Sequence, residues 1–196
     1  MDLIIRNVRL SFPDLFFPVE FKKGDGKPRW NASFLIKPGS EADKAIRAAI
    51  EAEAKTEWGA KAADVLKGMV NQSNKYCYLS GDTKSYDGYA GMMVLATHRA
   101  AKLRSGAPNA APIVLDAVAG ADGKPARLDA NAGRPYAGCY VDAKVSIYCQ
   151  KGENPGVRAS FSVVQFVRDG EAFSAGAPSD DGFEALTEGA DAEDLA

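Results

Sequence analysis

Rings and cations recur together along this chain. The stretch from Cys139 to Gln150 alternates strictly. Cys139, Val141, Ala143, Val145, Ile147 and Cys149 fall on one face, and Tyr140, Asp142, Lys144, Ser146, Tyr148 and Gln150 on the other. Alternation over this length predicts a half-buried strand with its apolar face inward. The outward face carries Tyr140, Lys144 and Tyr148 at i, i+4 and i+8. Rings interleaved with a cation suit a single-stranded nucleic acid, because bases stack on rings and phosphates meet the ammonium. The competing reading is that another sheet or helix covers the two tyrosines.

Other stretches offer the same chemistry. Asn71 to Gly91 is polar and turn-rich, reads as a loop, and holds Tyr86 and Tyr89. His98 to Arg104 places Arg99, Lys102 and Arg104 within six residues, and Arg29 and Trp30 open a predicted strand. Candidates for stacking are therefore Trp30, Tyr86, Tyr89, Tyr136, Tyr140 and Tyr148. Candidates for phosphate contact are Arg29, Arg99, Lys102, Arg104, Arg134, Lys144 and Arg158. Trp30 also shares a face with Phe34 and Ile36, which is equally the pattern of a core residue.

Enzyme chemistry finds little support. One histidine (His98), three cysteines and no CxxC pair argue against zinc, and no phosphate-binding glycine loop is present. No cofactor is expected. A rival reading is a metal-dependent nuclease or recombination enzyme using Asp82, Asp87 and Asp116. Another is a structural protein that assembles without nucleic acid.

These groups must be held by a sheet. Leu3 to Phe12 reads as a first strand of ambiguous facing, ended by Pro13. Phe16, Phe17 and Phe21 follow as core caps, and the basic, glycine-rich turn from Lys22 to Pro28 leads to a second strand, Arg29 to Ile36. Ser40 and Asp43 form an approximate capping box. From Glu41 to about Thr56 the pattern is helical, and a shorter helix is expected from Lys61 to Met69. Met92 to Ala96 and Pro112 to Val118 read as short strands. Val157 to Arg168 closes a final hairpin with the 139–150 strand. The architecture expected is mainly β with an inserted helix: a five-stranded OB-fold barrel.

Charge divides the chain. Residues 169–196 hold nine acids and no base, so the first 168 residues carry seventeen acids against twenty-four bases. A basic body with an acidic tail suits a polyanionic ligand and a tail that competes with it or recruits a partner. The expected division is a domain over residues 1–175 and a flexible acidic tail over 176–196. Three cysteines fit a reducing compartment, and no apolar run is long enough for a membrane span.

Six segments in order carry a resemblance: Asn7 to Phe12, Ala32 to Ile36, Tyr89 to Gly91, Pro112 to Asp116, Tyr136 to Val141 and Gly156 to Phe161. Together they resemble a family of phage-encoded single-stranded-DNA-binding proteins with an OB fold, from about residue 3 to residue 184. Ser179 to Phe183 resembles that family's C-terminal boundary, with Gly182 inserted. The resemblance implies single-stranded DNA as partner, bound without sequence specificity in phage replication or recombination. It implies no catalysis. The cytoplasm of the infected bacterial host is the expected location, with replication or recombination proteins as partners of the tail.

Overall fold

The first strand of the chain is also its longest, β1 (Asp2–Val19). Its inward residues are Ile5, then Val8 and Leu10, then Leu15, so the alternation changes phase twice. Each change sits at a bulge. Asn7 has φ 51° and Phe12 has φ 49°, and the pairing registers shift between Ile5 and Val8 and between Ser11 and Asp14. An inserted residue sends the following side chains to the opposite face. That is why the facing of this strand was ambiguous in sequence, and why Pro13 does not end it: a proline is accommodated at a bulge. The first bulge is pinned by Asp142, which accepts from the Asn7 backbone N–H at 2.8 Å and from Arg6 Nη1 at 2.7 Å.

The chain is described here by a computed structural model, over residues 1–20, 24, 26–152 and 154–174. The expected acidic tail, with Ser179 to Phe183, and residues Phe21, Lys22, Lys23 and Asp25 lie outside the described residues.

Strand β2 (Arg29–Ile36) buries Trp30, Ala32, Phe34 and Ile36. Helix α1 follows (Glu41–Trp58). Its start is a reciprocal cap: the Ser40 hydroxyl accepts from the Asp43 N–H at 3.2 Å, and the Asp43 carboxylate accepts from the Gly39 N–H at 2.8 Å. Ile46, Ala49, Ile50 and Ala54 form its buried stripe, against β1 and the later strand Tyr140–Gln150. Full burial of each isoleucine contributes roughly 1.5–3 kcal/mol. A second helix, α2 (Ala62–Met69), is short and packs on α1.

The remaining strands are β3 (Tyr78–Ser80), β4 (Met93–Ala100), β5 (Ile113–Ala119), β6 (Pro125–Arg127), β7 (Tyr140–Gln150) and β8 (Gly156–Arg168). Among the described residues they join β1 and β2 in one eight-stranded sheet, in the order β3-β4-β2-β1-β7-β8-β5-β6. The expected count of five is corrected to eight. The two shortest strands, β3 and β6, have three residues each, too few to display a period, and β3 lies in the 71–91 stretch that reads as a loop. Strand β4 runs through His98 and Arg99, so those residues belong to the sheet and not to a basic loop after it.

The sheet curls. Between its two arms runs the segment just before β3. Val157 N donates to Lys75 O at 2.8 Å, and Ala96 N donates to Cys77 O at 2.9 Å. Residues 75–77 thus join β8 to β4. The core fills the interior with Val141, Ala143, Val145 and Ile147 of β7 and with Val157, Ala159, Phe161 and Val164 of β8. Among the described residues no helix is long and apolar enough to cross a membrane.

Candidate nucleic-acid interface

The outer face of β2 and β4 carries the cations. Arg29 pairs with Ala100, Asn31 with His98, and Ser33 with Ala96 across these strands. In a sheet such facing pairs share one side. At the open end of this face a cleft of about 390 Å³ is lined by Lys27, Arg29, His98, Lys102, Leu103 and Arg104, among others. No carboxylate among the described residues lines it. Burial, followed by the charges of Arg29 and Arg158, lowers the pKa of His98, so the ring is neutral near pH 7 and adds a hydrogen-bonding group. Arg158 of β8 lies directly opposite Tyr148 of β7, and Tyr148 leaves a third of its surface bare. Of the residues expected from sequence, five are gathered here: Arg29, Lys102, Arg104, Arg158 and Tyr148.

A second group sits farther along β1, where Ser11 pairs with Ser33. Tyr89 is expected to be an exposed loop ring, and the structure corrects this: it is 3% exposed. Its hydroxyl donates to Ser11 Oγ at 3.3 Å. Tyr86 is exposed and meets Tyr89 edge-on at 5.3 Å between centroids. Phe12, absent from the sequence-derived candidates, completes the cluster at 5.1 Å from Tyr86. Its only signal in sequence is the Phe-Pro step inside an otherwise alternating stretch, which marks a bulge.

A third group surrounds Tyr140. Arg168 lies over its ring at 3.4 Å and Arg9 approaches it at 5.8 Å. Arg6, Arg9, Lys37 and Arg168 line a pocket of about 450 Å³ beside the start of α1. Arg9 also holds the end of the described chain: its Nη2 donates to Glu171 O, and its guanidinium lies 4.2 Å from the Phe173 ring. This strap is drawn close by two glycines. A side chain at Gly138 would meet Glu171 O at 2.1 Å, and one at Gly88 would meet the Phe173 ring at 2.5 Å.

The other sequence candidates serve the fold or stand apart. Trp30 is a core residue, 6% exposed, with the face of Phe34 and Ile36 prevailing. Arg99 braces the 101–112 loop, donating to Ala110 O at 2.7 Å and Asn109 Oδ1 at 3.2 Å. Arg134 pairs at 2.7 Å with the buried carboxylate of Asp116. The Tyr136 hydroxyl bonds Asp169 and Gly170 at the exit of β8. Lys144 is exposed, 3.9 Å from Asp2. Tyr140, Lys144 and Tyr148 do share the outward face of β7, but Tyr140 is covered by arginines while Tyr148 sits with the cationic cleft. Asp82 caps Gly91 N and contacts Ser80, Asp87 holds Ser174, and Asp116 holds Arg134. Among the described residues no three His, Cys, Asp or Glu side chains come together as a metal site.

Against this geometry stand the comparisons with known proteins. Residues 1–196 match the family described as "Enterobacter phage Enc34, ssDNA-binding protein". The putative protein p50 of Acyrthosiphon pisum secondary endosymbiont phage 1 is 37% identical over 179 residues, which is 90% of this chain and 88% of that protein. The single-stranded-DNA-binding protein of bacteriophage Enc34, solved in complex with ssDNA, is similar in fold, with a TM-score of 0.66 and 22% identity over 88% of this chain and 89% of that one. The single-stranded-DNA-binding protein gp2.5 of bacteriophage T7 is similar at a TM-score of 0.55, with 14% identity over 94% and 98% of the two chains.

Proposed function

This chain belongs to the Enterobacter phage Enc34 single-stranded-DNA-binding protein family, and from that premise we infer that it binds single-stranded DNA in phage replication or recombination. Binding is without sequence specificity, through a basic groove and aromatic stacking. The observation that carries this reading is the cleft of Lys27, Arg29, His98, Lys102 and Arg104, with Arg158 and Tyr148 beside it. Cations hold the backbone, and an exposed ring takes the face of any base.

The five long strands β1, β2, β4, β7 and β8, with residues 75–77 joining β4 to β8, support an OB-type barrel as the scaffold. The short strands and β5 are then additions at its rim. The protein acts as a binder and not a catalyst, in the host cytoplasm. Residues 176–196 form an acidic appendage to the 1–175 domain and compete for the groove or recruit replication partners.

The test is titration of the protein into fluorescent oligo-dT at several salt concentrations. Binding that weakens with salt supports the groove. An affinity that does not change between low and high salt would exclude it.

A further inference from the structure

We propose that the cavity between the second bulge of β1 and the 81–91 segment takes one unpaired nucleobase, with Phe12 as its stacking surface. The inference rests on the reading of the chain as a single-stranded-DNA binder and adds a second, base-directed contact to the cationic cleft.

Phe12 is the first observation. It is a bulky residue at φ 49°, a region that L side chains avoid and that persists where surrounding structure imposes it. Packing does not explain the conformation, because the side chain stays 50% exposed. The bulge instead lifts the ring to the surface. There it stands edge-on to Tyr86 at 74° and to Tyr89 at 75°. Tyr89 is fixed from below through Ser11. Two exposed rings on one buried ring make a platform whose outer faces have no partner ring among the described residues.

The cavity is the second observation. It holds about 530 Å³ and is walled by Phe12, Pro13, Tyr86, Ala137 and Phe173, with Ser11, Ser85, Asp87 and Ser174 as its polar groups. No cation lines it. A carboxylate among aromatic walls repels phosphate and accepts N–H groups, so the cavity suits a base and not the backbone. Asp87 Oδ2 bonds Ser174, and its Oδ1 has no partner among the described residues. A carboxylate oxygen accepts from the N–H donor that each of the four bases carries on its pairing edge, so the contact tolerates any base.

Position is the third. Arg29, Asn31 and Ser33 share the outer face of β2, and Ser33 pairs with Ser11 beside Phe12. Four residues of strand span about 13 Å. One strand of DNA can therefore lay phosphates in the cleft and a base in this cavity.

The experiment compares wild type with Phe12→Gly, Phe12→Trp and Asp87→Ala in anisotropy titrations against oligo-dC, oligo-dT and an abasic oligomer of equal length. Phe12→Gly suits the backbone, so its melting temperature should equal or exceed that of wild type. Its affinity for oligo-dC should fall about tenfold, its affinity for the abasic oligomer should not change, and Phe12→Trp should restore the loss. Asp87→Ala should weaken binding to oligo-dC and oligo-dT alike and leave binding to the abasic oligomer unchanged. Unchanged oligo-dC binding by Phe12→Gly, or an equal loss on the abasic oligomer, would overturn the proposal while leaving the groove intact. Wild type that binds none of the three oligomers would overturn both.

Discussion

Replacing Lys102 and Arg104 together by alanine should flatten the salt dependence of DNA binding by a calculable amount. Both side chains are exposed and neither makes a hydrogen bond or ion pair among the described residues, so the fold should be untouched. For a single strand, log K falls with log salt at about −0.7 per phosphate neutralised. If Arg29, Lys102, Arg104 and Arg158 each meet one phosphate, the slope is about −2.8, and affinity falls about 50-fold between 50 and 200 mM salt. Removing two contacts leaves a slope of about −1.4 and a fall of about sevenfold. Fluorescence titration with oligo-dT across that range reads both values. Lys144→Ala is the control, because Lys144 stands on β7 apart from the cleft. A slope unchanged by the double substitution but lowered by Lys144→Ala would refute the cleft and move the DNA to the face of β7.

Four further outcomes are expected. Tyr140→Ala removes a ring held between Arg9 and Arg168 and should cost about 1–2 kcal/mol in denaturant unfolding, with oligo-dT affinity little changed. Tyr148→Ala should do the reverse, weakening oligo-dT binding by roughly 1–3 kcal/mol without loss of stability. Asp43 is nearly buried: burial raises its pKa, but the Gly39 N–H, the Tyr78 hydroxyl and the Arg47 guanidinium outweigh this and hold the carboxyl below its usual 3.8. Its contribution is therefore complete above pH 3.8 and fades as pH falls through the lower folded-state value, and Asp43→Asn should flatten the acid limb of a pH–stability curve. Truncation after Ala175 removes seven of the nine acids that follow Arg168 and should tighten oligo-dT binding most at low salt. Unchanged or weaker binding there would rule out competition by the tail.

Long regular elements were legible in sequence, and short or bulged ones were not. The β7 alternation from Cys139 and the cap at Ser40 each depend on neighbours in the chain, so they can be read locally. Strand β1 defeated that reading because two bulges reset its period, and Phe12 was lost with it. Cations were easy to find and hard to place. Arg134 and Arg99 look like Lys102 and Arg104 in sequence, but their partners, Asp116 and Ala110, lie eighteen and eleven residues away. Only tertiary structure separates a cation that braces a loop from one left for a ligand. Tyr89 failed for the same reason: the hydroxyl that receives it belongs to Ser11, seventy-eight residues earlier.

The placement of β1 between β2 and β7 has a consequence for how the chain is made. Residues 2–19 leave the ribosome before both of their partner strands. One edge can be covered at once by β2, but the other waits for residues 140–150. At the usual pace of translation that wait is on the order of 10 s. During it the nascent hairpin shows a long apolar strand with an unpaired edge, the form most prone to pairing with a neighbouring chain. Slower synthesis between β2 and β7 should therefore raise the aggregated fraction of newly made protein more than the same delay placed after β8.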